Sequence, residues 1–338
     1  MKLVVTGGLG FIGSNFVRMI LRDRAGWSVT NLDLVTYAGN PANLADVAGD
    51  ARYRFVKGDI AEPKDVACAL EGGADAVVNF AAETHVDRSI LSADPFVRAN
   101  VVGTVRLLEA ARALGTCRVV HVSTDEVYGA LKPDDPPFTE RTPVSPTSPY
   151  AASKAAADHL ALAFARTYGQ DVVVTRCSNN YGPYQFPEKL IPLMITNAIE
   201  GKQLPVYGDG RQVRDWIHVE DHCAGVLAAL EQGKAGEVYN FGARAERFNI
   251  DIVSRIVALL KVRPELVEHV KDRPAHDRRY AMDAAKAERE LGWRPARTFE
   301  QGLADTVRWY VEHDDWWRPV KDGSYRDFYR TWYEERTQ

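Results

Sequence analysis

Three consecutive polar residues near the middle of the chain have the types needed for acid–base chemistry. Thr124, Asp125 and Glu126 follow the apolar run at residues 119–122, which predicts a buried strand that ends where they begin. Open α/β sheets bind ligands at the carboxyl ends of their strands. Two adjacent carboxylates there favour a division of roles, in which a protonated Asp125 donates a proton and an ionised Glu126 removes one. The alternative is a pair of solvated loop acids.

A glycine-rich loop opens the same half of the chain. Gly7, Gly10 and Gly13 lie between a predicted strand at residues 3–6 and a predicted helix at residues 14–22. Glycines let a turn approach a pyrophosphate, whose charge is met by backbone N–H groups and by the dipole of the following helix. The spacing differs from the commoner Gly-x-Gly-x-x-Gly. It is therefore the position between strand and helix that favours a nucleotide site over a structural turn.

Two aspartates at predicted strand ends indicate which dinucleotide would bind. Asp33 closes the second predicted strand, where a carboxylate can accept hydrogen bonds from both hydroxyls of a ribose. Because this carboxylate would repel a 2′-phosphate and no Arg follows it directly, NAD is favoured over NADP. Asp59 ends the third predicted strand and could lie against the adenine, although a plain turn aspartate is equally consistent.

Tyr150 and Lys154 have the spacing of a proton-accepting pair. They are four residues apart at the start of a predicted helix, so both project from one face. A free phenol has a pKa near ~10 and is a poor base at neutral pH. A neighbouring ammonium and a positively charged nicotinamide ring would lower that pKa and favour the phenolate. Because the pair occurs in a sequence that begins with a dinucleotide-binding loop, we predict that it acts as the base for a hydroxyl that is being oxidised, rather than as an ordinary surface pair.

The composition argues against several other classes of protein. The formal net charge is −4 and no basic run is present, so binding to nucleic acid is not expected. The four cysteines form no Cys-x-x-Cys pair, so neither a metal site nor a disulfide framework is predicted, and a reducing cytoplasm is the expected compartment. No apolar stretch reaches the roughly 20 residues needed to cross a membrane.

Apolar runs alternate with helical patterns through the first half of the chain. Strands are predicted at residues 3–6, 29–33, 53–57, 76–80, 118–123 and 172–177, and helices at residues 14–22, 63–70, 95–114 and 149–168. Continuous Val/Ile/Leu runs are typical of parallel strands that helices cover on both faces. The prediction is an α/β fold with a Rossmann-type, doubly wound parallel sheet.

The second half has more proline and glycine and shorter strands, which predicts a smaller C-terminal substrate-binding domain. The NAD-binding domain is predicted to cover residues 1–187, with residues 213–246 returning to it. The substrate-binding domain would mainly comprise residues 188–338. The aromatic residues between Trp309 and Tyr333 are expected to pack.

The chain resembles the dTDP-glucose 4,6-dehydratase family of the extended short-chain dehydrogenase/reductase superfamily. The resemblance covers nearly the whole chain to about residue 310, while the tail after Val320 has no assigned function. The most specific match is Thr124–Glu126 together with the Glu-Lys-Leu-Ile-Pro run at residues 188–192. The segments that carry it are residues 7–13, 33–40, 81–89, 123–129, 148–154, 179–185, 187–192, 214–218 and 272–280.

The resemblance implies an NAD-dependent lyase that converts dTDP-glucose to dTDP-4-keto-6-deoxyglucose and water. Tyr150, with Thr124 and Lys154, would remove the C4 hydroxyl proton as hydride leaves C4. Glu126 would then take the C5 proton while Asp125 protonates the departing C6 hydroxyl, before hydride returns to C6. Because the cycle has no net redox change, NAD should stay bound between turnovers.

The resemblance also implies the contact residues and a homodimer through residues 96–114 and 150–168. In the nucleotide-sugar set, Arg214 and Arg273 would suit a pyrophosphate and Tyr207 a pyrimidine. The NAD contacts, beside the three glycines, would be Phe11, Ile12, Asp33, Leu34, Thr36, Asp59, Ile60, Ala81, Ala82, Thr84, Asn100, Tyr150, Lys154 and Asn180. The nucleotide-sugar contacts would be Thr84, Thr124, Asn179, Glu188, Lys189, Leu190, Pro205, Tyr207, Arg214, Asn249, Arg273 and His276.

Other functions stay open at this point. A nucleotide-sugar 4-epimerase, a decarboxylase or a UDP-glucose 4,6-dehydratase would share the glycine loop and the Tyr/Lys pair, although the epimerases and decarboxylases generally lack the Asp–Glu pair. A non-catalytic NAD-binding sensor would need none of Asp125, Glu126, Tyr150 and Lys154, so their presence argues against it. The sequence does not separate thymidine from uridine, because one methyl contact is worth only ~1–3 kcal/mol. Nor does it identify the deoxysugar pathway, whether to rhamnose or to a secondary metabolite.

Overall fold

Strands and helices alternate through the first half of the described chain, and shorter elements follow. The computed structural model describes residues 1–115, 117–272 and 277–321. The strands are β1 Lys2–Thr6, β2 Ser28–Asp33, β3 Tyr53–Lys57, β4 Ala76–Asn79, β5 Arg118–Thr124, β6 Val172–Cys177, β7 Asn179–Tyr181, β8 Leu204–Tyr207, β9 Val213–His218, β10 Val238–Phe241, β11 Glu246–Phe248 and β12 Val267–Val270. The α-helices are α1 Phe11–Asp23, α2 Pro63–Ala69, α3 Val86–Leu91, α4 Asp94–Phe96, α5 Thr104–Ala113, α6 Pro149–Tyr168, α7 Leu190–Ile199, α8 Val219–Gln232, α9 Asn249–Leu260, α10 Ala285–Leu291, α11 Phe299–Glu312 and α12 Asp314–Val320.

The main sheet is parallel and doubly wound, as predicted. It has seven strands in the order β10-β6-β5-β4-β1-β2-β3. The chain runs from β1 outward through β2 to β3, and then crosses back to add β4 on the other side of β1. This reversal of strand order opens a crevice at the carboxyl ends of β1 and β4, which is where such sheets bind their ligands.

Two layers of helices explain why the strands have apolar runs rather than alternating patterns. Phe16 and Ile20 of α1 pack with Val226 of α8 on one face of the sheet. Leu107 of α5 and Ala161 of α6 pack on the other face. Because both faces are covered, each strand needs apolar residues in both directions, and β4 and β6 are buried at every position.

The helix predicted over residues 95–114 is interrupted. Between α4 and α5, residues Val97–Gly103 form a wider π-helical turn. A π-helical turn accommodates an extra residue within a helix and is common at functional sites. Asn100, in this turn, is almost completely buried. A hydrophobic periodicity does not distinguish such a turn from a regular helix, so the prediction was wrong in detail here.

The second half of the chain forms smaller sheets and its own apolar core. One sheet has the order β11-β9-β7 and another pairs β12 with β8. A core that includes Ile195, Ile252, Leu303 and Trp317 lies among α7, α9, α11 and α12. Strand β10 pairs with β6 in the main sheet, so this part of the chain returns to it. The domain boundaries themselves stay a prediction.

The aromatic residues near the C-terminus pack where they are described. The Trp317 indole N–H donates to the carbonyl oxygen of Tyr310 at 2.8 Å, and the Tyr310 hydroxyl donates to that of Gln185. Residues 322–338, which include Tyr333, lie outside the described residues. Within the described ranges, none of the helices has the length and apolarity needed to cross a membrane.

The packing of α5 predicts a stability difference between two leucines. Leu107 is 1% exposed, whereas Leu259 on α9 is 44% exposed. We expect Leu107→Ala to lower the free energy of unfolding by about 2–5 kcal/mol, because it removes buried methyl groups and leaves a cavity. Leu259→Ala should change it by less than about 0.5 kcal/mol. Urea denaturation of both variants checks this, and equal losses would contradict the described packing.

Candidate active site

One pocket runs along the carboxyl edge of the main sheet. It has a volume of about 330 Å³ and extends from the glycine loop after β1, past the end of β5, to the start of α6. The predicted catalytic residues come from two separate segments, yet all of them line this pocket: Thr124, Asp125, Glu126, Tyr150 and Lys154. The sheet edge therefore brings the two segments together.

The glycine loop is shaped to receive a group close to its backbone. Gly7 has φ +70°, and a Cβ atom there would lie 2.6 Å from the backbone nitrogen of Ala81. A Cβ atom at Gly13 would collide with the carbonyl oxygen of Gly7. Gly10 immediately precedes α1 and has no side chain to cap it. The backbone N–H groups at this helix start suit a pyrophosphate.

Asp33 connects the glycine loop to the loop after β2. Its carboxylate oxygens accept hydrogen bonds from the backbone N–H of Leu9 at 2.9 Å and of Val35 at 2.8 Å. Burial raises the pKa of Asp33, and these two hydrogen bonds oppose the rise. Each carboxylate oxygen has a second lone pair, so both can still accept a ribose hydroxyl.

Asp59 lines the same pocket and is held in place by two contacts. It accepts the backbone N–H of Ala61 at 2.8 Å and the Arg98 guanidinium at 2.9 Å. The carboxylate is therefore fixed at the end of β3, at the place where the sequence suggests an adenine contact.

The acid pair is built by the tight turn that ends β5. Thr124 accepts the backbone N–H of Glu126 at 3.3 Å, and its hydroxyl donates to Asp125 Oδ1 at 3.3 Å. Asp125 is almost fully buried, whereas Glu126 is partly exposed. Burial, reinforced by the neighbouring charge of Glu126, raises the pKa of Asp125 well above its usual range. The environment thus favours a protonated Asp125, which suits a proton donor.

Helix α6 fixes the Tyr/Lys pair. Ser148 caps the helix by accepting the backbone N–H of Ala151 at 3.1 Å, and Pro149 occupies its first position, where an N–H would lack a partner. Tyr150 and Lys154 then lie one turn apart, both buried. The Lys154 ammonium donates to the carbonyl oxygen of Val122 at 2.7 Å.

Burial is the largest influence on the pKa of Tyr150 among the chain's own groups. Burial raises it well above its usual range, the charge of Glu126 and the thiol of Cys177 add to the rise, and a hydrogen bond with Thr124 opposes it. Burial also lowers the pKa of Lys154 to about 8. The predicted lowering of the Tyr150 pKa needs a bound nicotinamide ring as well as Lys154, and it stays a prediction.

The predicted NAD contacts lie together, with one exception. Asn100 does not line the pocket; its side-chain amide accepts from the backbone N–H of Glu83 at 2.9 Å and donates to the Ser153 hydroxyl at 2.8 Å. It therefore braces a pocket loop against α6. The others all line the pocket: Gly7, Gly10, Phe11, Ile12, Gly13, Asp33, Leu34, Thr36, Asp59, Ile60, Ala81, Ala82, Thr84, Tyr150, Lys154 and Asn180.

The predicted nucleotide-sugar contacts divide into two groups. Those that line the pocket are Thr84, Thr124, Asn179, Glu188 and Lys189. Those that do not are Leu190, Pro205, Tyr207, Arg214 and Asn249. Arg273 and His276 lie outside the described residues. The second group belongs to α7, β8, β9 and α9, so it does not form the walls of this pocket.

Two members of the second group have notable surroundings. Arg214 is buried, and its guanidinium donates to the carbonyl oxygens of Val213 at 2.8 Å and Asp277 at 2.9 Å. Its charge nevertheless reaches the acid pair, where it opposes the rise in the pKa of Asp125. The side-chain oxygen of Asn249 is buried and has no hydrogen-bond partner among the described residues, which leaves it able to accept one from a ligand.

The structure adds residues around Glu188 that the sequence did not single out. The Tyr37 hydroxyl donates to Glu188 Oε1 at 3.4 Å, and the His85 and Arg88 side chains lie 3.6 and 3.8 Å from Oε2. Burial raises the pKa of Glu188 to about 7, against the charges of Lys189 and Arg88. These three neighbours lie in the segments at residues 33–40 and 81–89 that carry the family resemblance. The resemblance did not suggest a role for them.

No metal site is formed by the part of the chain that the structure describes, where no group of three or more His, Cys, Asp and Glu side chains could hold an ion. The thiols of Cys68, Cys117, Cys177 and Cys223 are free. Cys177 lines the pocket, and burial raises its pKa to about 12, so it remains a neutral thiol. The side chains that line the pocket present carboxyl, phenol, hydroxyl, thiol and ammonium groups.

Known proteins share both this sequence and this fold. A family model described as GDP-mannose 4,6 dehydratase matches residues 4–306. A dTDP-glucose 4,6-dehydratase from Xanthomonas campestris pv. campestris (strain B100) is 54% identical over 342 residues, covering 96% of this chain and 97% of the relative. A dTDP-glucose 4,6-dehydratase from Escherichia coli (strain K12) is 49% identical over 361 residues, covering 99% of this chain and 100% of the relative.

Solved structures agree with these relatives. The dTDP-glucose 4,6-dehydratase of Streptomyces venezuelae, with NAD and dTDP bound, has a TM-score of 0.92 at 53% identity and covers 95% of this chain and 100% of its own. A Thermus thermophilus UDP-glucose 4-epimerase in complex with NAD has a TM-score of 0.85 at 28% identity and covers 93% of this chain and 100% of its own. The higher identity lies with the dehydratases, and this chain belongs to the dTDP-glucose 4,6-dehydratase family of the short-chain dehydrogenase/reductase superfamily.

Proposed function

We propose that this chain is a dTDP-glucose 4,6-dehydratase, an NAD-dependent lyase that forms dTDP-4-keto-6-deoxyglucose and water. One observation carries the proposal: the Asp125–Glu126 pair and the Tyr150–Lys154 pair line the same pocket as the glycine loop. An oxidation needs only the second pair and the cofactor. A dehydration also needs one group that removes a proton from carbon and another that protonates the leaving hydroxyl.

NAD is the cofactor, and the described residues fit it. A Cβ atom at Gly7 would collide with Ala81, and the backbone at Gly10, which directly precedes α1 and carries no side-chain cap, suits a pyrophosphate. Asp33 presents two oxygens where the adenosine ribose would lie, and its carboxylate would repel a 2′-phosphate. When bound, NAD accepts a hydride from the substrate and later returns it.

The Tyr150 side of the pocket handles the C4 hydroxyl. Tyr150 and Thr124 share a hydrogen bond and both line the pocket, so a sugar hydroxyl bound there would lie near both oxygens. Tyr150 takes the hydroxyl proton as the C4–H bond breaks. Burial raises the pKa of Tyr150 and so opposes the phenolate, and a positive charge nearby would stabilise the phenolate that accepts the proton.

The acid pair handles the elimination. The C4 ketone acidifies the neighbouring C5–H, and Glu126 removes that proton. Asp125, kept protonated by its burial, donates its proton to the C6 hydroxyl, which leaves as water. A proton then returns to C5 as C6 receives the hydride. One elimination requires a group that accepts a proton and a group that donates one. The pair formed by Glu126 and the buried Asp125 provides these two protonation states.

The recognition of the nucleotide sugar is supported by two sets of residues. Thr84, Asn179, Glu188 and Lys189 line the pocket and would contact the sugar and its phosphates. The second group, on α7, β8, β9 and α9, would bind the nucleoside diphosphate together with Arg273 and His276. The thymidine preference rests on the relatives, since the Streptomyces venezuelae enzyme holds dTDP. A cytoplasmic location is proposed from the four free cysteines.

A nucleotide-sugar 4-epimerase is the second candidate, because epimerases with bound NAD share the fold. An epimerase only needs to remove and return hydride at C4, so it has no use for a protonated Asp125 beside Glu126. Incubation with dTDP-glucose separates the two functions. A 4-keto-6-deoxy product supports the dehydratase, whereas dTDP-galactose as the only product would refute it.

The acid pair gives a prediction for Glu126. We expect Glu126→Gln to lower turnover by about 10²–10⁴-fold, because the amide cannot take the C5 proton. The NAD content of the purified protein should not change. Glu140→Gln is the matched control, since Glu140 is a partly buried carboxyl whose pKa is raised by burial, away from the pocket. Unchanged turnover in Glu126→Gln would show that another group is the base.

The glycine loop gives a prediction for cofactor binding. We expect Gly7→Ala to purify without NAD, because its Cβ would contact Ala81 and displace the loop. Gly292→Ala is the control: Gly292 also has a positive φ, +62°, but a Cβ added there would meet no atom within 4 Å. It should retain NAD and lose only about 1–2 kcal/mol of stability. NAD release on acid denaturation, measured by absorbance, tests the pair; full NAD content in Gly7→Ala would contradict the assignment.

We also propose a homodimer through residues 96–114 and 150–168. Val97, Val102 and Tyr168 are 48%, 38% and 53% exposed in the single chain, which is unusual for apolar side chains on neighbouring helices. We expect Val97→Glu to convert the dimer to a monomer in sedimentation-velocity runs, because it places a charge in the interface. Val311→Glu on α11, where Val311 is 52% exposed, should leave the mass unchanged. A wild-type monomer, or a dimeric Val97→Glu, would refute this interface.

A further inference from the structure

A buried carboxylate lies behind the pocket, one helical turn beyond Lys154. Asp158 of α6 is completely buried between α6 and the strands β5 and β6. The Arg176 guanidinium donates to its Oδ2 at 2.8 Å, and His121 Nε2 lies 3.5 Å from its Oδ1. Asp158 does not line the pocket, so it cannot touch a substrate there. A fully buried charge of this kind is costly and needs a reason.

The neighbours of Asp158 define its electrostatic task. Asn79 Oδ1 accepts from the Thr6 hydroxyl, so its Nδ2 faces His121 Nδ1 at 3.2 Å and donates to it. The hydrogen of the neutral imidazole must then be on Nε2, which faces Asp158. Burial and the charges of Lys154 and Arg176 lower the pKa of His121 well below its usual range, so it carries no charge. The charged groups of this cluster are thus the Asp158 carboxylate, the Lys154 ammonium and the Arg176 guanidinium.

Lys154 depends on this anion. The lysine is 4% exposed, and its ammonium has the carbonyl oxygen of Val122 as its hydrogen-bond acceptor. Burial alone disfavours the charge, and Asp158 is the largest influence that supports it, ahead of Cys177. The net pKa of about 8 means that Lys154 is mostly charged at neutral pH. Residues i and i+4 of a helix project from the same face, so Lys154 and Asp158 lie one turn apart on the same side of α6, where both are buried.

We propose that Asp158 is a positioning residue that maintains the positive charge of Lys154 and, through it, the ability of Tyr150 to act as a base. Arg176 forms an ion pair with Asp158, and its guanidinium also lies 4.7 Å from the centre of the Tyr128 ring. The benefit of Asp158 to catalysis rests on the proposed function, but the charge state of Lys154 can be measured without turnover.

The test is a direct titration of Lys154. Protein loaded with NAD and labelled with ¹³C at the lysine Cε is titrated by NMR, and the Lys154 signal is identified by its absence in Lys154→Met. Asp158→Asn should move the midpoint of Lys154 to lower pH by about 1–3 units, because an opposite charge is lost. Its kcat at pH 7.5 should fall more than its KM rises.

Two further variants make the result unambiguous. Asp221→Asn removes another buried carboxylate, which accepts the backbone N–H groups of Ala296 and Arg297 at 3.1 Å, and it should leave the Lys154 midpoint unchanged. Arg176→Gln removes a positive charge and should move the midpoint to higher pH. If Asp158→Asn does not fold, as judged by circular dichroism, the direction of the shift in Arg176→Gln decides.

An unchanged Lys154 midpoint in Asp158→Asn, or in Arg176→Gln when that variant decides, would overturn the inference, even if activity fell. Such a fall would then reflect a structural role of Asp158. Failure of the proposed function would look different, because the wild-type protein would not turn over dTDP-glucose although the midpoints shifted as expected.

Discussion

The shared carboxyl edge of the parallel strands is the constraint on which the rest of the molecule depends. Parallel strands have their carboxyl ends at the same edge of the sheet. This edge therefore carries the glycine loop after β1, Asp33 at the end of β2 and the acid pair at the end of β5, although these residues are far apart in sequence. The reversal of strand order at β1 then opens the crevice in which a dinucleotide fits. Helix α6 completes the site, because it packs against β5 and β6.

Burial at this edge gives similar groups different roles. Asp125 and Glu126 are neighbours, yet the first is closed off from solvent and the second is partly exposed, and burial raises the pKa of Asp125 well above its usual range. The same burial opposes ionisation of Tyr150 and charge on Lys154. In the resting protein, burial therefore keeps both the Tyr150 phenol and the Asp125 carboxyl protonated. These two groups suit a cycle that starts with an oxidation and proceeds to an elimination.

Much of this arrangement could be predicted from the sequence, and the failures have physical causes. Strands covered on both faces leave continuous apolar runs, so β6 was placed at its observed limits. The π-helical turn at Val97–Gly103 was missed because one extra residue hardly changes a helical periodicity. Asn100 was expected to touch the cofactor, but its amide is used up by Glu83 and Ser153. The pKa of Tyr150 depends on burial, which a motif does not state.

A second kind of information absent from the motifs is the support that the C-terminal part gives to the cofactor loop. The Trp316 indole on α12 donates to Asn43 Oδ1 at 2.8 Å, and the amide of Asn43 donates to the carbonyl oxygen of Leu9 at 2.8 Å. The glycine loop is therefore held from both sides, by Asp33 at the Leu9 N–H and by Asn43 at the Leu9 carbonyl. A dehydratase must keep the reduced cofactor in place while water leaves, since the same hydride has to return. A loop fixed by residues from both ends of the chain meets that requirement better than one held only by its own strand and helix.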